Sequence, residues 1–203
     1  MERARATAEL VPLDTKSPIW GKAFVVAPLV LVGTLEDDGS PDVAPKHMAM
    51  PVGWQNRYCF VCSPRHATLR NAVARGAFTV SFPRPDQIVE ASMAAGGRAE
   101  DATKPSLAAL ATFPATTVEG PLVEGCYLYL ECRLDRVVEG LGENALVIGD
   151  VVAAAVAEDA LRASDADDAD VVAESPLLAY LSPGRFASVR ESLSFPFPAD
   201  FHH

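Results

Sequence analysis

No apolar run in this 203-residue chain is long enough to cross a bilayer as a helix; the longest, Ala23 to Leu35, is interrupted by Pro28. Positive charge is also scarce. Seventeen Lys and Arg stand against 27 Asp and Glu, a formal charge of −10, so the surface as a whole repels a polyanion and nucleic acid is not an expected partner. Residues Met1 to Leu10 alternate charged side chains with alanine and show no apolar core ahead of a small-residue cleavage site. The expectation is a cytoplasmic protein with no signal sequence and no membrane partner.

The familiar catalytic fingerprints are missing as well. There is no G-x-G-x-x-G after a strand, no P-loop, no G-x-S-x-G and no H-E-x-x-H, and no catalytic residue is named. Histidine is limited to His47, His66, His202 and His203, little material for a metal site. The four cysteines do not supply one: Cys59 and Cys62 lie three apart in an apolar strand-like run and so point to opposite faces, while Cys126 and Cys132 share one face of another such run. Buried thiols are the expectation, with neither metal nor disulfide. The acidic run Asp165, Asp167, Asp168 and Asp170 lacks the glycine turn and closing glutamate of a calcium loop and reads as a solvated loop.

What is present is ordinary globular material, 49% hydrophobic and 22% charged, enough for one domain with its own core. The expected organisation is a leader over 1–22, a domain over 23–190 and a tail over 191–203. Phe24 to Leu35 reads as a β-branched strand with Pro28 at a start or bulge, and Asp38-Gly39 as a hairpin turn returning through Asp42 to Met48. Tyr58 to Ser63 is a third strand. Ser63 as N-cap, Pro64 at the first helical position and Gly76 as terminator bracket a helix over Arg65 to Arg75, with Leu69, Ala72 and Val73 as its apolar face. Ala77 to Phe82 is a strand. Gln87 to Ala95 and Pro105 to Ala111 are short helices, and Tyr127 to Val138 and Ala145 to Val156 are long strands joined by Glu139 to Asn144. This order does not alternate as a doubly wound fold does; it predicts a mainly β protein, an antiparallel barrel with peripheral helices.

The junction Ser63-Pro64-Arg65-His66-Ala67-Thr68 is the first place where chemistry could gather. A helix start presents unpaired N–H groups and the positive end of its dipole, to which Arg65, His66 and Thr68 add a cation and donors. Two readings stand there, a phosphate cradle and the ordinary start of an exposed helix. Pro45-Lys46-His47-Met48 could bring a lysine beside it.

Taken in order, Ala27 to Thr34, Asp38 to Pro45, Arg65 to Val73, Gly76 to Phe82, Ala145 to Val152, and Pro176-Leu177-Leu178 with Arg185-Phe186 resemble the flavin reductase-like FMN-binding split-barrel family. The resemblance covers roughly Ala23 to Val189. It implies an antiparallel split barrel, a homodimer, and FMN near the subunit interface, with FAD as the alternative flavin. Thr68 and Asn71 match the family's T-x-x-N helix, with Arg65 in the place of its basic residue. Lys46, His47 and Met48 match the segment that lines the isoalloxazine, and Ser81 falls where the family often has Asn. Ser63, His66 and Phe82 complete the candidate cofactor-binding set, with Trp54 and Phe82 as candidate ring neighbours. The implied activity is hydride transfer from NAD(P)H to the flavin and onward electron transfer; the alternatives are a flavin-carrying electron-transfer or sensing protein reduced by another protein, and the same barrel holding a different phosphorylated or haem-like cofactor. One departure bears on the first. Where many family reductases carry Gly-Asp-His, this chain has Gly142-Glu143-Asn144, which weakens the case for the nicotinamide more than the case for the flavin.

Overall fold

The computed structural model describes residues 9–100, 103–162 and 167–198. The apolar run after the leader is two strands rather than one. β1 (Val25–Pro28) ends at the proline, and β2 (Val30–Leu35) follows one residue later in a different sheet. Pro28 has no N–H to continue a ladder, so the chain changes sheet there. At the Asp38-Gly39 turn, Gly39 sits at φ 85° and donates to the Glu36 carbonyl, and β3 (Pro41–Lys46) returns antiparallel to β2.

The predicted strand over Asp42 to Met48 also splits. β3 stops at Lys46, and β4 (Ala49–Pro51) pairs with β5 (Arg57–Cys62). The seven-stranded sheet runs β3-β2-β6-β9-β10-β5-β4, with β6 at Ala77–Phe82, β9 at Leu128–Leu141 and β10 at Asn144–Val156. Its two edge strands, β3 and β4, are consecutive in the chain, so the sheet is rolled until His47 and Met48 bridge its edges. A mostly antiparallel, curled half-barrel of this kind is a split barrel.

β2 is buried on both faces because it separates two cores. Val30 and Val32 face the barrel interior with Phe60, Phe78, Val80 and Val147, while Leu31 faces outward to Val43, Ala91, Ala94, Leu110 and Cys126, the alternation that a period of two imposes. The outer core is covered by α2 (Ile88–Met93) and the small hairpin of β7 (Thr112–Pro114) and β8 (Pro121–Val123). Cys126 precedes β9 and belongs to the outer core, whereas Cys132 on β9 belongs to the inner one; the shared face expected for them is therefore corrected. All four thiols are buried and free.

Two further corrections concern helices and the C-terminal segment. α1 spans Ala67–Arg75, so Ser63 is not its cap: His66 is, and Ser63-Pro64 form the preceding turn, with the Ser63 carbonyl accepting from His66 N at 3.0 Å. The inner face of α1 is Leu69 and Ala72 together with Thr68 and Asn71, while Val73 is half exposed. Past the acidic run, of which Asp165 lies outside the described residues, Asp167 caps α3 (Asp168–Glu174) by accepting from Ala169 N. The chain then makes β11 (Leu177–Ser182) and β12 (Arg185–Val189), which join β1 in a three-stranded sheet; neither strand was among the expected elements.

Candidate functional site

The first turn of α1, the end of β3 and the loop after α2 enclose a cleft of about 410 Å³. Its lining carries Lys46, Arg65, Arg70, Arg98 and Lys104 around a single carboxylate, Asp42, with His66, Thr68 and the bare backbone of Gly96-Gly97 between them. In a chain of charge −10 this is a local inversion of sign. A side chain at residue 96 would place its Cβ 2.7 Å from Ser106 Oγ, so the backbone stays uncovered there.

Asp42 organises the floor. Arg98 Nη2 lies 3.0 Å and Lys104 Nζ 3.6 Å from its Oδ1, and Thr68 Oγ1 donates to Oδ2 at 3.4 Å. Lys104 also donates to the Val43 carbonyl at 2.7 Å. Burial holds the Lys104 ammonium below its ordinary pKa, with Asp42 opposing and Arg98 adding to the effect. Lys46 forms no ion pair among the described residues. Around the rim, Arg70 is 3.8 Å from Glu36 and Arg65 is 2.9 Å from Glu143. The Arg65 pair is exposed on both sides, so it holds Arg65 by about 1 kcal/mol or less.

His66 sits at the hinge between the turn and the helix. Its Nδ1 is 3.9 Å from the buried Cys62 thiol. Burial pushes its pKa down, and Lys46, Arg65 and Lys104 push further, against Asp42.

The remaining predicted site residues are distributed around this cleft rather than in it. His47 lines a neighbouring cleft of about 420 Å³ that shares Pro45 and Ala95 with the first, its ring 4.8 Å from Tyr180 on β11; burial, then Lys46, lowers its pKa. Met48 is 52% exposed at the barrel seam. Ser63 Oγ accepts from Arg65 N at 3.3 Å, and Asn71 Nδ2 donates to Thr34 Oγ1 at 3.3 Å in the interior, so both brace the turn and helix. Ser81 Oγ accepts from Val123 N at 3.0 Å, which ties β6 to β8. Phe82 stacks edge-on with Tyr58 in an apolar trough of about 700 Å³, beside Ala49, Met50, Leu130 and Val151. Trp54 is 89% exposed in the loop after β4. Asp42, Arg98 and Lys104 escaped the sequence reading. The available signal was Gly96-Gly97-Arg98, a glycine pair and a cation between two short helical turns.

The split barrel with a cation-lined cleft at the start of α1 defines a class, and the comparisons with known proteins identify it. Residues 23–187 match the family model described as the flavin reductase like domain, and the chain belongs to that family. A protein of Methanothermobacter thermautotrophicus with no described function is 26% identical over 161 residues, 77% of this chain and 76% of its own length. Two solved structures share the fold. Flavoredoxin of Desulfovibrio vulgaris (Miyazaki F) is 24% identical with a TM-score of 0.75, covering 93% of this chain and 99% of that one. Nitrilotriacetate monooxygenase component B from Bacillus cereus is 18% identical with a TM-score of 0.78, covering 93% and 100%. The general kind of function is that of an oxidoreductase of the flavin reductase type.

Proposed function

We propose that the chain binds FMN, takes a hydride from NAD(P)H and passes electrons to free flavin, oxygen or a protein. The observation that carries this is the cleft: five lysine and arginine side chains, one lining carboxylate, and a helix start in an otherwise acidic molecule. A phosphate monoester bears about −1.5 to −2 charges and only acceptors near neutrality, the complement of a wall made of donors.

Lys46, Arg98 and Lys104 neutralise the phosphate from inside the cleft, and Arg65 does so from the rim. His66 adds a donor, as do the first N–H groups of α1, which have no partner within the helix, while the Thr68 hydroxyl gives its proton to Asp42. Ser63 and Asn71 fix the turn that presents them. His47 and Met48 lie at the seam that leads away from the phosphate, where the ring-binding segment falls. Bound FMN supplies the hydride acceptance and electron release; the side chains bind it, orient it and exclude water, and no acid–base dyad is required of them.

The apolar trough beside edge strand β4, with exposed Met50 and Trp54 next to it, supports a homodimer in which a second copy covers this face. The cytoplasm is the proposed location. The carrier reading draws support from Glu143. At the β9–β10 turn, where the family's histidine is replaced, its carboxylate reaches the cleft rim at Arg65 and offers the nicotinamide's phosphates repulsion.

The test is a visible spectrum with and without FMN, followed by anaerobic NADH or NADPH. One flavin per chain that bleaches on addition supports the reductase. Bound flavin that stays oxidised supports the carrier, and no flavin binding overturns both.

A further inference from the structure

Resting on the FMN reading, we propose that His66 is the proton-linked element of the cleft: it is neutral when the cleft is empty and imidazolium when a phosphomonoester is bound, so binding draws a proton from solvent.

The geometry sets this up from several elements at once. His66 is the N-cap of α1, with its N–H given to the Ser63 carbonyl and its own carbonyl taking Arg70 N at 3.4 Å; these bonds fix its Cα at the helix start, and the residue lines the cleft. The groups that face it are Lys46 from β3, Arg65 from the turn, Lys104 from the loop after α2, Asp42 from the floor and Cys62 from the end of β5. His66 is exposed on the cleft wall; what desolvation it meets there, and three cations against one carboxylate, disfavour a fourth positive charge on the ring. A phosphate in the same cleft reverses that balance, because a dianion among these cations leaves the imidazolium with a counter-charge in place of like charges.

The Cys62 contact allows both states. A thiol is a weak donor and a weak acceptor. Facing Nδ1 at 3.9 Å, it can give its S–H to the neutral ring or take Nδ1–H from the charged one, which a fixed backbone donor could not do. The ring's protonation therefore changes without stranding a buried group.

The sign follows from linkage. A group whose pKa is higher in the complex than in the free protein takes up a proton on binding, and affinity rises as pH falls through the window between those two values. The ligand's phosphate works the other way, since its second pKa near 6 drops in a cationic site. At pH 7.5 the phosphate is already a dianion, and uptake by the protein is the term that remains.

The experiment is calorimetric titration of the flavin-free, full-length protein with FMN and with riboflavin at pH 7.5, in HEPES and in Tris, whose ionisation heats differ. The expected result is a buffer-dependent heat for FMN equivalent to uptake of several tenths of a proton, and a buffer-independent heat for riboflavin. His66→Gln removes the buffer dependence and weakens FMN; His66→Lys, whose charge is permanent, keeps FMN binding and still shows no uptake. FMN binding without buffer dependence in the unmodified protein overturns the proposal while leaving the phosphate site intact, and uptake that persists in His66→Gln overturns it in favour of another group such as Lys104. FMN that binds no tighter than riboflavin sinks the phosphate reading, and the proposal with it.

Discussion

Two carboxylates in this barrel are almost cut off from water, Asp42 at 2% exposure and Glu131 at 6%, and their surroundings are opposite in kind. Glu131 on β9 is saturated by neutral donors from the loop between β7 and β8. It accepts from Thr116 N at 3.1 Å, Thr116 Oγ1 at 2.9 Å, Thr117 N at 2.6 Å and Val118 N at 3.1 Å. Burial raises its pKa, but these bonds outweigh burial and hold the carboxyl below its ordinary value. No acceptor capacity is left over for a ligand. Asp42 instead meets two cations and one long hydroxyl contact; Glu36 shares Arg98 and Arg70 and Glu143 takes Arg65, so five cations of the cleft face three carboxylates and, among the described residues, Lys46 has none of its own. A matched network closes a fold, whereas a mismatched one of the same size leaves room for an anion.

Removing either carboxylate sharpens this contrast. Asp42→Asn takes the counter-charge from the buried Lys104, while Arg98 keeps its bond to Glu36, and breaking such a buried pair costs about 3 kcal/mol. The expected urea midpoint of the flavin-free protein falls, and FMN restores more of it than it adds to the unmodified protein. Equal restoration in both would break the comparison.

Glu131→Gln is expected to cost about 2 kcal/mol, because the amide keeps one acceptor oxygen and turns an NH2 donor toward the remaining Thr116 to Val118 donors. FMN affinity should not change. The folded carboxyl is depressed, so its contribution is complete above the ordinary glutamate value of 4.5 and is lost as pH falls through the folded one. Urea midpoints measured from pH 6 down to pH 3 should therefore drop less steeply in the variant.

Lys46→Met tests the other side. Loss of one charge-assisted contact should weaken FMN about tenfold, roughly 1.4 kcal/mol, with riboflavin unaffected. Added salt should weaken FMN binding and spare riboflavin. Arg65→Ala should have the smallest effect on stability, about 0.5 kcal/mol, since its bond to Glu143 is exposed on both sides.

The parts legible in the sequence were those with local chemical punctuation. Gly76 at φ 64° ends α1 as expected, the Asp38-Gly39 turn forms, and the long β9–β10 hairpin is present and longer than predicted. Ser63-Pro64 misled because Ser63 Oγ serves Arg65 N in a turn of its own, which carries every cap signal and delays the helix to Ala67. Thr68 and Asn71, matched to the family's T-x-x-N helix, are buried, because Asp42 and Thr34 inside the fold bond them. Arg98 and Lys104 come from a stretch with no periodicity, and only the rolled sheet brings them onto Asp42, more than fifty residues earlier in the chain. β11 and β12 were hidden because a three-stranded sheet with β1 needs partners from both ends of the domain.

The most direct measurement is the ratio of FMN to riboflavin affinity in the flavin-free protein and in a Lys46→Met, Arg98→Met double variant, followed by flavin fluorescence at low salt. A cleft that holds the phosphate predicts FMN at least tenfold tighter than riboflavin in the unmodified protein and a ratio near one in the double variant. Equal affinities for the two flavins before any substitution, or a preference for FMN that survives the double variant, would contradict it.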